Sequence, residues 1–190
     1  MKIDCIFEII ENSLAAVKYV EEPSDSFEYC FELWDDVEYL EKYFEQNKAL
    51  LATDFWRMDL NDAVFKVLNE AKKFREDILY CAEHGKTKGA PRLDNTIFRS
   101  LHRDVLSNIR IPSKAYGSEE ENSFLRIYAI RLGPNEYVVT GGAIKLTKEM
   151  QAHEDTALEL LKLEQVSVYL RGLGINEAED YGYIEFENKE

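Results

Sequence analysis

Cysteine is scarce in this chain: three residues in 190, at positions 5, 30 and 81, odd in number and without ligand-like spacing. A disulfide scaffold is thereby excluded, and reduced core thiols of a cytosolic protein are expected. His84, His102 and His153 are too scattered to serve as metal ligands, so no metal and no cofactor is expected. No run approaches the ~18 consecutive apolar residues of a membrane span. The opening MKIDCIFEII carries one lysine and then an acid, unlike the basic region and long apolar run of a secretory signal, so the expected location is cytoplasmic. Basic residues are in deficit. With 23 Lys+Arg against 37 Asp+Glu the formal net charge is −14, which argues against a generic nucleic-acid binder resting on a broad basic footprint. Phosphate-loop and dinucleotide motifs are missing too. Gly141-Gly142 with Lys145 and Thr147 has the wrong spacing for the first, and Gly172-x-Gly174 is only part of the second. No Ser or Cys sits in a recognisable nucleophile elbow.

Apolar residues, by contrast, are plentiful. A 45% hydrophobic and 12% aromatic content suffices for the packed core of one domain, or of one domain with a substantial extension. The acidity is uneven: residues 92–150 carry a net +2 and the remainder −16. Any contact with RNA is expected in that middle region.

The N-terminal part reads as a hairpin, Ile3 to Ile10 and Leu14 to Val20, around the turn Glu11-Asn12-Ser13. After a loop over 21–25, Trp34, Val37, Leu40, Phe44 and Leu51 keep helical spacing, and Asp35, Asp36, Glu38, Glu41 and Glu45 form an outer acidic face, solvated or turned to a basic partner. A second helix is capped by Asp59 or Asn61. Its apolar stripe is Val64, Val67, Leu68, Ala71, Phe74, Ile78 and Leu79, and Gly85 stops it. The loop His84 to Asp94 is the natural boundary, which divides the chain into 1–90, a core over 91–175, and an acidic tail over 176–190 whose ordering is not expected. Ile97, Phe98, Leu101, Val105 and Ile109 suggest a short helix closed by Pro112, and Ser118 to Ser123 an exposed loop.

The working surface is expected in Ser123 to Met150, two strands joined by the turn Gly133-Pro134-Asn135. In the first arm Leu125, Ile127 and Ala129 share one face, and Phe124, Arg126, Tyr128 and Ile130 the other. The second arm, Tyr137 to Leu146, is interrupted by Thr140-Gly141-Gly142, which marks a bulge or a close approach to the backbone, and Lys145 and Lys148 follow it. A core hairpin with a solvated basic edge and a phosphate-gripping surface are the two readings. His153 to Thr156 then opens a last helix, apolar on more than one face and ended by Gly172 and Gly174, which predicts burial on two sides or against a partner chain.

Read as a run, "NIR", "LRIYAIRL", a turn, "EYVVTGGAIKLTK" and a closing helix resemble the core of the RelE/HigB-like toxins over about residues 98–171. Arg110, Arg126, Gly142, Lys145, Thr147 and Lys148 occupy the matching places. The resemblance implies an α+β fold, a small antiparallel sheet with helices packed on it, here preceded by the N-terminal hairpin and helices. It also implies an endoribonuclease that uses the substrate's own 2′-hydroxyl, held in check by an antitoxin of the helix-turn-helix type. The target it implies is mRNA, commonly on the ribosome, and a homodimer is a further arrangement to test. On that view Arg126, Lys145 and Tyr128 are the catalytic candidates: Arg126 clamps the phosphate, Lys145 stabilises charge, and Tyr128 stacks on a base or moves a proton. Arg110, Lys148 and Arg131 are the RNA-binding candidates. The strongly acidic N-terminal segment and the acidic start of the last helix depart from the basic character of that family. The alternative is therefore a non-enzymatic protein–protein interaction module on the same fold.

Overall fold

Six runs of β-branched and aromatic residues pair into one sheet. The computed structural model describes residues 1–101, 111–117, 122–147, 153–175 and 178–186. Its strands are β1 (Ile3–Ile10), β2 (Leu14–Tyr19), β3 (Phe98–Ser100), β4 (Ile111–Tyr116), β5 (Leu125–Gly133) and β6 (Glu136–Ile144), in the order β1-β2-β6-β5-β4-β3. The fold is α+β, as expected, but the sheet is mixed: β2 runs parallel to β6 over Leu14–Ala16 and Tyr137–Val139, and the other pairings are antiparallel. The N-terminal hairpin thus shares a sheet with the strands of the expected core.

The period-2 alternation of the central strands gives each sheet face its own core. Leu125, Ile127, Ala129, Tyr137 and Val139 face one way, into a layer made by α1 (Ser26–Asp35), α2 (Val37–Gln46), α3 (Lys48–Leu51) and α4 (Leu60–His84). Tyr128, Ile130, Leu132 and Val138 face the other, under α5 (Glu154–Gly172). Phe124 departs from the expected alternation. It lies just before β5 and packs on the helical layer, where the rings of Trp56 and Phe44 receive it with centroids 4.2 and 5.4 Å away. The acidic tail departs as well: Tyr181 and Ile184 are buried against the α5 core beside Ile175, since these apolar side chains outweigh the local charge.

Two local signals explain the helical layer. Asp25 caps α1, accepting from the Phe27 and Glu28 amides, and Asp36 caps α2, accepting from Tyr39. The single helix expected over this stretch is therefore broken at Asp36, and Tyr43 joins the buried stripe while Val37 stays outside. In α4 the cap is Asp59 and Gly85 stands at the C-terminus, as the sequence indicates. The expected helix after Ile97 is not found in its described part: Phe98–Ser100 is strand β3, paired with β4, and Pro112 lies near the start of β4. Residues 102–110, which carry the rest of that expectation, are outside the described residues.

The turn between β5 and β6 ties the layers together. Asn135 adopts φ 60°, a conformation asparagine tolerates. Its side chain is buried, donates to Ser13 Oγ (2.9 Å) and the Ala82 carbonyl (3.1 Å), and accepts from the Leu93 amide (2.7 Å).

Candidate functional site

Strand pairing, rather than sequence proximity, assembles a cationic face. Across β4, β5 and β6, Tyr116 lies opposite Arg126 and Arg126 opposite Ala143; in the next row Arg99, Lys114, Tyr128 and Gly141 lie side by side. All these residues are on the α5 side of the sheet, and the alternation carries Lys145 there as well. The Arg126 guanidinium lies 4.2 Å from the Tyr116 ring centroid, and the Lys114 ammonium 5.6 Å from the same ring. Arg126 Nη1 donates to the Ser123 and Leu125 carbonyls, at 2.9 and 2.6 Å. Neither Arg126 nor Lys114 forms an ion pair with a carboxylate among the described residues. Burial lowers the pKa of Arg126. Burial also lowers that of Lys145, and the charges of Arg126 and Lys114 lower it further, so the three cations feel one another. Such a cluster is suited to anionic oxygen, which a planar guanidinium can take through charge-assisted bonds.

The other candidates fare differently. Tyr128 is completely buried and its hydroxyl has no hydrogen-bond partner among the described residues. Burial raises its pKa, with Arg126 opposing, so it is neither a base nor placed to meet a guest from solvent. Tyr116, half-buried on Arg126, is the aromatic residue of the face. Arg131 points to the opposite side of the sheet, in register with Tyr137, and pairs with Asp94 at 3.1 Å. It is separated from Arg126 because odd and even positions of β5 face opposite layers. Arg110 and Lys148 lie outside the described residues. Lys114, Arg99 and Tyr116 went unrecognised in the sequence because their place depends on β3–β4–β5 pairing, which the expected helix before Pro112 obscured.

A second constellation lies at the edge of β6, where β2 stops pairing after Val139. Side-chain hydroxyls take over the exposed carbonyls: Ser26 donates to Val139 (3.0 Å), Tyr19 to Thr140 (2.9 Å) and Tyr43 to Ile144 (3.0 Å). Thr140 is the extra residue of a bulge, as the Gly pair suggested. Gly141 faces α5 and Gly142 faces α1: a Cβ at 142 would lie 2.9 Å from the Cys30 sulfur, and one at 141 would lie 2.9 Å from the Glu159 Cδ. What approaches this backbone closely is therefore the protein's own helices.

Around that edge a cavity of about 190 Å³ is lined by Gly141 to Ile144 and by side chains of α1, α2 and α5, among them Glu159 and Lys162. Lys162 Nζ lies 3.0 Å from Glu159 Oε1 and 3.2 Å from Glu22 Oε1, and 5.1 Å from the Tyr19 ring centroid. Burial raises the Glu159 carboxyl to about 7, with Lys162 drawing it back. Burial works against the charge of Lys162, but Glu159 and Glu22 together raise its pKa. Burial pushes the Cys30 thiol up, so it is no nucleophile. The signal for this cluster is a Glu–Lys pair three residues apart within an apolar helix.

Compared with protein-family models, with curated proteins and with solved structures, the chain shows no significant match to any. Among the described residues no helix is long and apolar enough to cross a membrane, and no group of three or more His, Cys, Asp or Glu side chains could hold a metal ion.

Proposed function

We propose that the chain is an RNA-cleaving protein of the RelE/HigB-like toxin kind, in which Arg126, Lys114 and Lys145 grip a backbone phosphate. The RNA 2′-oxygen attacks the adjacent phosphorus, its proton passing to solvent. The bond to the 5′-oxygen breaks, and that oxygen takes up a proton from water. Cations fixed beside the phosphate stabilise the charge that builds on its oxygens, often the largest catalytic contribution. Tyr116 supplies a ring for stacking. The observation that carries the reading is the convergence of three cations on one sheet face, with two of them free of carboxylate ion pairs among the described residues. Incubation of the purified protein with single-stranded RNA and with translating ribosomes tests it. Cleavage is expected, reduced about 100-fold or more in Arg126→Ala. Wild-type protein that neither binds nor cuts RNA in either setting refutes the reading.

A second reading, an interaction module whose partner is an antitoxin-type protein, draws on the outer face of α5. Leu161 and Val168 there are 58% and 59% exposed. Co-expression with the product of the adjacent reading frame tests it: a stable complex lost in Leu161→Glu supports this reading, and a monomer in both cases refutes it.

A further inference from the structure

The first turns of α5 are inverted. Leu158 and Leu161 face solvent, 44% and 58% exposed, whereas Glu159 and Lys162 turn inward and are 2% and 7% exposed. An amphipathic helix arranges these types the other way round. Apolar residues in place of a buried ion pair commonly leave a protein as stable or more so. Local pattern and fold disagree here, which is characteristic of a functional site.

The cavity beside these residues shows what the inversion serves. Three carboxyls, Glu22, Asp155 and Glu159, line it against one ammonium, Lys162, and Tyr29 and Trp34 contribute aromatic wall. Lys162 occupies only one oxygen of Glu159 and one of Glu22. The Oε2 atoms of both are buried with no hydrogen-bond partner among the described residues. A buried acceptor left without a donor is destabilising, and a guest that carries N–H groups recovers that loss. The backbone adds an acceptor. The Lys145 amide donates to the Phe124 carbonyl at 2.7 Å, so in the alternating antiparallel ladder the Ile127–Gly142 pair turns its own N–H and C=O groups away from the partner strand. Gly142 thus presents a carbonyl towards the cavity it lines.

The charge excess selects a cation, the unpartnered oxygens select N–H donors, and the rings favour a positive group over their faces. At about 190 Å³ the space is below that of a drug-sized ligand site. We infer that this cavity binds a small organic cation, an alkylammonium or alkylguanidinium, received by Glu159 and Glu22. The site shares the β6 backbone with the cationic face but none of its three cations, and it does not rest on the RNA reading.

Calorimetric titration of the full chain at pH ~8, where carboxyls are ionised, with n-butylammonium and methylguanidinium tests the inference, with n-butanol as the uncharged control. Saturable one-site binding of at least one cation is expected, about tenfold or more weaker in Glu159→Gln and in Glu22→Gln, the loss of one charge-assisted bond. Arg126→Ala should bind the cation as the wild type does, while losing any action on RNA. The inference is overturned if neither cation saturates the folded wild type at millimolar concentration, or if n-butanol binds as well as n-butylammonium. It is equally overturned if both folded glutamine variants keep wild-type affinity. Should either variant fail to fold, the amine-against-alcohol comparison on the wild type decides alone.

Discussion

The carboxyl of Glu159 rests on Gly141: a Cβ at that position would lie 2.9 Å from the Glu159 Cδ, and nearer still to Oε2. Helix α5 can approach β6 this closely only because the strand carries no side chain there. Gly141→Ala should therefore destabilise the protein by about 1–3 kcal/mol, the usual cost of overpacking. In a Glu159→Ala background the same change should cost clearly less. Chemical denaturation of the four proteins of that cycle measures the coupling. An equal penalty in both backgrounds would show that this contact is not the cause.

The titration of Glu159 carries a sign. Burial raises its carboxyl from 4.5 to about 7, so between those pH values the native protein keeps a proton that the unfolded chain has lost. Stability must then fall as pH rises through this window. Relative to Glu159→Gln, which has no such proton, the wild type should lose on the order of 3 kcal/mol from pH 4.5 to 7. Urea midpoints taken across the range measure the difference, and one that stays level or grows with pH contradicts the assignment.

Asn135 combines a φ of 60° with a buried side chain that bonds Ser13, Ala82 and Leu93. Replacement by alanine removes those partners and leaves buried groups unpaired, so Asn135→Ala should cost at least about 3 kcal/mol. Asn135→Gly, which restores only the backbone freedom, should fall between alanine and wild type. Equal stability of the two variants would mean that backbone strain contributes nothing.

Tyr128→Phe removes a buried hydroxyl that has no partner among the described residues. The change should be neutral or stabilise by up to about 1 kcal/mol, with RNA binding and cleavage unaltered. Loss of cleavage in a folded Tyr128→Phe protein would return this residue to the reacting centre.

Leu161 contributes little to the fold, since most of its side chain is in solvent. Leu161→Glu should change thermal stability by no more than about 0.5 kcal/mol. A larger loss would place Leu161 in contact with part of the chain itself.

Periodicity and punctuation made much of the fold legible. The Asp59 cap and Gly85 stop bound α4, the alternation of Leu125, Ile127 and Ala129 against Tyr128 and Ile130 marks a two-faced strand, and the Gly pair marks the bulge at Thr140. These features are written in consecutive residues. Asp36 was the local signal that periodicity overrode: its cap divides a pattern that otherwise reads as one helix. Of the cationic residues, Arg126 and Lys145 were apparent because they flank one hairpin, whereas Lys114 and Arg99 joined them only through strands whose pairing the sequence did not reveal.

Determined by the sequence alone were the α+β class, the central hairpin, the acidic surface and the presence of a final helix with too much apolar surface. Tertiary structure decided the parallel pairing of β2 with β6, the separation of Arg131 from Arg126, and the inward turn of Glu159 and Lys162. The physical reason is the same in each case. Propensity and capping act over a few bonds, but strand order, and the side of a doubly apolar helix that meets the sheet, depend on which distant surfaces bury one another.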